Sequence, residues 1–131
     1  MIAIICAAGI GKRLRPLTLD RPKPMIEVGS KTILERMLDS LHHSNVTDVT
    51  IVTGYKKQKI INKIGYNYKS CKINYLFNED YKSTNNIYSL YLAMKYIDKK
   101  EIVFFTLYWV IRTQATTIRY PRQILMLCIM S

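Results

Sequence analysis

The chain has 131 residues, the length of about one small domain, and its apolar fraction of 49% excludes a wholly disordered protein. Its 20 Lys and Arg residues outnumber 9 Asp and Glu, and the resulting net charge of +11 favours anionic partners. The three cysteines lack metal-ligand spacing, which predicts free thiols and a cytoplasmic location rather than a metal site. The longest apolar stretch, residues 102–111, is about half the length of a membrane span, so we expect no membrane partner.

Apolar runs alternate with segments of helical spacing along residues 1–105. The pattern predicts strands at residues 2–6, 49–53, 72–77 and 101–105, and helices at residues 32–42, 56–64 and 86–97. Strands separated by helices of this size indicate βαβ units. The predicted fold class is therefore α/β, with a mostly parallel sheet and helices on both faces. In such sheets ligands bind at the carboxyl ends of strands, where the strand order reverses. The loop after the first strand is predicted to lie at this place.

That loop, AAGIGKRLRPLTLDRPKP, spans residues 7–24 and concentrates five cations and three prolines in a non-periodic segment. Gly9 and Gly11 lack Cβ atoms, so the backbone there can bend tightly and bring its N–H groups against phosphate oxygens. Ala7 and Ala8 keep the approach uncrowded. These four residues are therefore predicted to bind phosphate.

Cationic side chains complete the predicted phosphate site. Arg13 can form a two-pronged contact with a phosphate, and Lys12 adds a neighbouring point charge. Lys23 lies between Pro22 and Pro24, whose rings fix their own φ angles and stiffen the segment. A stiff segment can hold an ammonium group at a fixed place. The alternative, an ordinary turn with solvated cations, explains neither the clustered charge nor the prolines.

Two common phosphate-binding motifs are excluded. Leu14 stands where the dinucleotide fingerprint needs its third glycine, and Arg13 stands where a Walker P-loop needs Ser or Thr. The segment instead resembles the signature of the nucleotidyltransferases that activate sugar phosphates or choline phosphate with a nucleoside triphosphate. That signature, G-x-G-x-R-L-x-P-L-T followed by P-K-P, is matched by Gly9, Gly11, Arg13, Leu14, Pro16, Leu17, Thr18, Pro22, Lys23 and Pro24.

The resemblance covers residues 1–105 and implies the N-terminal part of a Rossmann-like catalytic domain, C-terminally incomplete. Residues 49–55 look like the family's second strand and glycine turn, and TNNIYSL at residues 84–90 resembles the choline-phosphate cytidylyltransferase branch. The family transfers a nucleoside monophosphate to an acceptor phosphate and releases pyrophosphate, using Mg²⁺. Its pattern implies that Arg13 and Lys23 are catalytic. It also implies that the nucleotide-binding residues are Ala7, Ala8, Gly9, Gly11, Lys12 and Arg13.

The predicted helix at residues 86–97 begins with polar residues that allow two roles. Thr84 or Asn85 is expected to cap the helix. Asn86 and Ser89 are candidates for contacts with the base or the acceptor, and a capped helix is compatible with such contacts. The expected core face of this helix consists of Ile87, Leu90, Tyr91, Met94 and Ile97.

The composition changes at Ile102. All nine acidic residues precede it, and residues 102–131 contain three arginines but no Lys, Asn, Asp, Glu or Gly. This contrast predicts that residues 106–131 are an atypical apolar tail, as a shifted reading frame or a truncation would produce. The alternative is a genuine edge strand followed by an apolar C-terminal segment. Thr106 follows Phe105 where the family carries a metal-binding acid, so the Mg²⁺ expected from the family lacks that ligand here.

Three functions follow from these observations. The first is a nucleotidyltransferase whose partners are a nucleoside triphosphate and either a sugar 1-phosphate or choline phosphate, active or inactive as an incomplete copy. The second is a non-catalytic nucleotide-binding fragment of the same fold. The third is a small basic nucleic-acid-binding domain. The βαβ pattern and the concentration of charge on one loop oppose this third function, so we expect no nucleic-acid partner. The oligomeric state stays open.

Overall fold

The computed structural model of the chain describes residues 2–97, 102–106, 117–120 and 124–127, with side chains described through residue 97. The four predicted strands and three predicted helices are confirmed, each within one residue at either end. Two 3-10 turns, Lys12–Leu14 and Lys23–Met25, lie in the loop after the first strand. The strands and helices in the described ranges are β1 (Ile2–Ala7), β2 (Glu27–Val28), β3 (Lys31–Thr32), α1 (Ile33–His43), β4 (Asp48–Thr53), α2 (Lys57–Ile64), β5 (Asn67–Tyr68), β6 (Cys71–Phe77), α3 (Asn86–Tyr96), β7 (Ile102–Thr106), β8 (Thr117–Tyr120) and β9 (Ile124–Leu127).

Seven of these strands form one sheet in the order β5-β6-β4-β1-β7-β9-β8. β1 lies between β4 and β7 and is parallel to both, with Ala7 opposite Thr53 and Cys6 opposite Thr106. β6 and β9 continue the parallel pairing outward, and β5 and β8 are antiparallel to their neighbours. The chain runs from β1 to β4 and β6 on one side and crosses to β7 on the other. The carboxyl end of β1 is therefore the point where the strand order reverses, as predicted.

Helices cover both faces of the sheet, which confirms the predicted α/β architecture. Successive β1 side chains alternate, so that Ala3 and Ile5 pack with the buried residues of α1 and α2, and Ile4 and Cys6 pack with α3. Of the helices in the described ranges, none combines the length and apolar character needed to cross a membrane.

The shortest strands are not evident from the sequence. β2 and β3 form a hairpin that turns at Gly29, which has a φ of 67°, and β5 adds two residues to the edge beside β6. Two residues are too few to show the alternation that indicates a strand. β8 and β9 fall within the predicted tail at residues 106–131, whose remaining residues after Thr106 lie outside the described ranges. The predicted boundary at residue 105 stays a prediction.

The predicted core face of α3 is wrong for three of its five residues. Ile87, Tyr91 and Met94 are 75%, 59% and 43% exposed, and only Leu90 and Ile97 contact the core. The helix instead packs through Ser89 and Ala93, which lie one turn apart and are both buried. Small side chains at this spacing let the helix backbone approach the sheet closely. The face of α3 that packs on the sheet is therefore the one with the small residues, and not the one with the most apolar residues.

Gly54 joins the end of β4 to the loop after β1. A Cβ atom built on Gly54 would lie 2.7 Å from the carbonyl oxygen of Ala8 and 2.6 Å from the Cβ of Tyr81. The next residue, Tyr55, donates its backbone N–H to the same Ala8 carbonyl at 3.0 Å. Glycine is therefore needed at residue 54 because two backbone segments and one side chain meet there.

We expect Gly54→Ala to lower the free energy of unfolding by about 1–3 kcal/mol, the usual cost of an added group in a tightly packed position. Gly9→Ala is the matched control because a Cβ atom at Gly9 would meet nothing within 4 Å. Urea unfolding of both variants checks this expectation. Equal stability of Gly54→Ala and Gly9→Ala would show that the backbone contact at Gly54 can relax at no cost.

Candidate active site

The backbone leaves β1 through two small residues at the reversal point of the sheet. Ala7 and Ala8 are 2% and 3% exposed, and Gly9 is exposed. Because a Cβ atom on Gly9 would meet no other atom within 4 Å, the approach to this stretch of backbone is open. Phosphate oxygens need such an opening to reach backbone N–H groups.

Gly11 folds the loop back on itself. Its φ of 68° lies in the left-handed region, and a Cβ atom there would lie 3.1 Å from Thr18 Cγ2 and 3.4 Å from Lys23 Cβ. The buried Thr18 hydroxyl donates to the Gly11 carbonyl at 2.9 Å, which closes the fold. Both backbone conformation and space therefore require glycine at residue 11, and they bring the stem of Lys23 beside it.

The segment around Lys23 is held in place from both sides. Pro22 and Pro24 are buried, and the 3-10 turn is closed by the Met25 N–H donating to the Pro22 carbonyl at 2.8 Å. Lys23 itself is half-buried, and this loss of water lowers the pKa of its ammonium group. The segment around Lys23 therefore combines two buried prolines with a closed 3-10 turn.

Lys12 and Arg13 occupy the first two positions of the other 3-10 turn, directly after Gly11. Both side chains are exposed, in contrast to Lys23. The turn is closed by the Leu14 N–H donating to the Gly11 carbonyl at 2.9 Å, so that carbonyl accepts from both Leu14 and Thr18. The loop thus carries two exposed cations directly after Gly11, and the stem of the half-buried Lys23 packs against Gly11.

Tyr55 attaches the loop to β4 at a second place. Its hydroxyl has one proton to share between the carbonyls of Thr18 and Leu19, which lie at 3.1 and 2.9 Å, and its backbone N–H bonds to Ala8. The sequence indicated a glycine turn at residues 54 and 55 but gave no role to the tyrosine. Its contacts join residues about 36 positions apart, and only the folded chain brings them together.

The first turn of α3 lies close to the end of β1. Asn85 caps the helix, as predicted, by accepting from two backbone N–H groups of the first turn at 3.0 and 3.2 Å. Burial raises the pKa of the free Cys6 thiol to about 12, and its Sγ donates to the Asn86 carbonyl at 3.7 Å. Ser89 is 1% exposed, and its Oγ accepts from Asn78 Nδ2 at 3.1 Å. Of the two predicted contact residues, Asn86 therefore lies near the loop and Ser89 lies beneath the surface.

Acidic residues are dispersed in the described part of the chain. Glu27, Glu79 and Asp80 are exposed, and no three His, Cys, Asp or Glu side chains in the described ranges form a group that could hold a metal ion. Asp20 forms a two-pronged pair with Arg21 at 3.1 and 3.2 Å, and Arg21 thereby lowers the pKa of the Asp20 carboxyl. Arg21 is therefore already engaged by an acid.

A surface groove of about 380 Å³ lies along the part of the loop that follows Arg15. It does not coincide with the predicted phosphate site, because none of the residues predicted to bind phosphate lines it. Its lining residues are Pro16, Leu17, Asp20, Arg21, Ile26 and Glu27.

Comparison with known proteins gives the family of the chain. The family model described as nucleotidyl transferase matches residues 2–116. A choline-phosphate cytidylyltransferase of Streptococcus pneumoniae is 34% identical over 103 residues, which are 79% of this chain and 43% of that protein. A UTP–glucose-1-phosphate uridylyltransferase of Haloferax volcanii is 42% identical over 82 residues, which are 63% of this chain and 34% of that protein.

A solved structure supports the same relation. The CTP:phosphocholine cytidylyltransferase from Streptococcus pneumoniae matches with a TM-score of 0.61 and 36% identity, over 72% of this chain and 40% of that chain. This chain thus spans less than half the length of each of these three relatives. The family match extends over most of the residues, from β1 past β7. The chain belongs to the nucleotidyl transferase family.

Proposed function

We propose that this chain binds a nucleoside triphosphate at the loop after β1 and transfers its nucleoside monophosphate to choline phosphate or a sugar 1-phosphate, with release of pyrophosphate. The observation that carries the proposal is the folded-back loop. Gly11 takes a left-handed conformation and packs against Thr18 and the stem of Lys23, next to a stretch of backbone that is open at Gly9. Membership of the family supports the class of reaction.

The reaction needs little acid–base chemistry. A phosphate oxygen of the acceptor attacks the α-phosphorus in line and forms a new P–O bond, while the bond from the α-phosphorus to the bridging oxygen breaks and its electrons leave with pyrophosphate. Negative charge therefore grows on the leaving group. The exposed cations Lys12 and Arg13 sit on a turn beside the open backbone and are suited to neutralising that charge.

Lys23 is suited to a different task. Partial burial of its side chain lowers the pKa of its ammonium group. Its backbone lies in a closed turn between two buried prolines, so a phosphate would meet this cation on a segment that is already ordered. We assign Lys23 to the α-phosphate or to the acceptor phosphate, and Arg13 to the departing pyrophosphate.

The family resemblance implies Mg²⁺, which supplies charge neutralisation on the phosphate oxygens when bound. The described residues do not fit a metal site made by the protein, because their acids are not grouped and Thr106 follows Phe105 in β7. The Mg²⁺ in the assays below enters bound to the nucleotide.

The acceptor belongs to the same proposal. The pneumococcal relative supports choline phosphate, and the archaeal relative supports a sugar 1-phosphate. Because this chain spans less than half of each relative, a nucleotide-binding protein without turnover is the second candidate. Both acceptors and all four nucleoside triphosphates are therefore arms of one assay.

Replacing either loop cation tests the proposal. We expect Lys23→Ala to raise the Kd for the Mg²⁺–nucleoside triphosphate about tenfold or more, which corresponds to about 1.4 kcal/mol, and to lower pyrophosphate release about 10²- to 10³-fold. Arg13→Ala should act in the same direction. Isothermal titration with ATP, CTP, GTP and UTP gives the Kd, and a coupled pyrophosphate assay with choline phosphate or glucose 1-phosphate gives the rate.

Lys72→Ala is the charge-matched control for these variants. Lys72 is exposed near the amino end of β6, opposite Asp48 at the start of β4. It therefore lies at the amino ends of the strands, whereas the loop lies at their carboxyl ends. Equal weakening by Lys72→Ala and Lys23→Ala would mean that overall charge attracts the nucleotide, which contradicts the proposed site.

Nucleotide binding without pyrophosphate release would favour the second candidate. Binding to polynucleotide that survives Lys23→Ala and Arg13→Ala would favour a nucleic-acid-binding domain.

Tyr55→Phe tests whether the loop must be held in shape to bind. The change removes one hydroxyl and its bonds to two loop carbonyls, so we expect a loss of about 1 kcal/mol in stability and a three- to tenfold rise in Kd for the nucleotide. Tyr96→Phe is the control because Tyr96 is 72% exposed at the far end of α3. The expectation fails if Tyr55→Phe binds nucleotide as tightly as Tyr96→Phe.

A further inference from the structure

A buried amide side chain follows β6 directly. Asn78 is 1% exposed, and its backbone N–H donates to the Thr53 carbonyl at 2.8 Å, which extends the pairing of β6 with β4 by one residue. A fully buried amide costs stability unless its polar atoms are hydrogen-bonded, so its partners show what it holds.

Each side-chain polar atom of Asn78 has a partner. Nδ2 donates to Thr84 Oγ1 at 3.0 Å and to Ser89 Oγ at 3.1 Å, and Oδ1 accepts from the Asp80 N–H at 3.0 Å. The orientation of the amide follows from these partners, because the Asp80 N–H can only donate and the Thr84 hydroxyl already donates to the Asp80 carbonyl at 2.8 Å. One side chain thus connects the sheet, the segment at residues 79–84 and α3.

The connection reaches the candidate active site. Ser89 lies one turn into α3, and Asn86 at the start of this helix accepts from Cys6 Sγ in β1. β1 ends at Ala7, one residue after Cys6, and leads into the loop that carries Gly11. The first turn of α3 is therefore fixed to β6 through Asn78 and lies against β1 at the base of the phosphate loop.

We infer that Asn78 is a positioning residue that sets the first turn of α3, with Asn86, to meet the nucleoside part of a triphosphate bound at the loop. The Ser89 hydroxyl serves this connection rather than the ligand. This inference rests on the proposed function. It separates two contributions to binding: the loop holds the phosphates, and the helix terminus set by Asn78 meets the nucleoside.

Two probes measure these contributions separately. Inorganic tripolyphosphate contacts the loop alone, whereas ATP, CTP, GTP and UTP extend to α3. We expect Asn78→Asp, which keeps the shape but removes both amide donors, to raise the Kd of the nucleoside triphosphate that the wild-type chain binds most tightly at least fivefold. The Kd of tripolyphosphate should stay within twofold of wild type. Asn62→Asp is the control, because Asn62 is exposed on α2 and the charge change is the same.

Milder variants cover the case in which Asn78→Asp does not fold. Thr84→Val keeps the shape but removes the hydroxyl that accepts from Asn78 and donates to the Asp80 carbonyl. Thr84→Ser retains that hydroxyl, so the serine variant should restore the nucleotide affinity that the valine variant loses. Hydrogen exchange of the Ile87 and Tyr88 amides should accelerate in Thr84→Val and return toward wild type in Thr84→Ser. General destabilisation would not separate the two probes in this way.

The outcomes distinguish the two proposals. Equal weakening of tripolyphosphate and nucleotide, or no weakening of either, overturns the positioning role while leaving the proposed function intact. If the wild-type chain binds no nucleoside triphosphate, the proposed function fails and the positioning role fails with it.

Discussion

At Gly11 the backbone turns through a left-handed conformation, Thr18 closes the turn by donating to the Gly11 carbonyl, and Lys23 packs alongside. Every other feature of the site depends on this contact. It reverses the loop over the carboxyl end of β1 and places Lys12 and Arg13 on a turn beside the exposed Gly9 backbone. A side chain at residue 11 would face both a strained φ and atoms 3.1 to 3.4 Å away, so the loop could not close in the same way.

The sheet supplies the rigid base for this turn. β1 is paired on both sides by parallel strands, and its loop is attached to β4 again through Tyr55. The cations above this base differ in hydration, since Lys23 is partly desolvated whereas Lys12 and Arg13 are exposed. A partly desolvated charge on an ordered segment favours a ligand whose phosphate lies at one particular position. Solvated charges on a turn attract an anionic ligand from a longer distance. Phosphoryl chemistry on a triphosphate uses both properties.

Much of this arrangement could be predicted from the sequence. Apolar periodicity predicted the strands and helices that place the loop at the reversal point of the sheet, and the signature from Gly9 to Pro24 indicated the phosphate site. Tyr55 and Asn78 could not be assigned, because their partners become neighbours only after the strands pair. The predicted buried face of α3 was wrong for a related reason. Ser89 and Ala93 decide how closely the helix approaches the sheet, and the spacing of apolar residues does not indicate the distance between a helix and a sheet.

A crystal structure of the chain with a non-hydrolysable nucleoside triphosphate tests the central claim most directly. We expect the triphosphate to lie over the backbone N–H groups of residues 9–13, with the Lys23 ammonium within hydrogen-bond distance of a phosphate oxygen. The groove lined by Pro16, Leu17 and Glu27 would then remain empty. A triphosphate bound in that groove, or held by the lysines of α2 away from Gly11, would contradict the account.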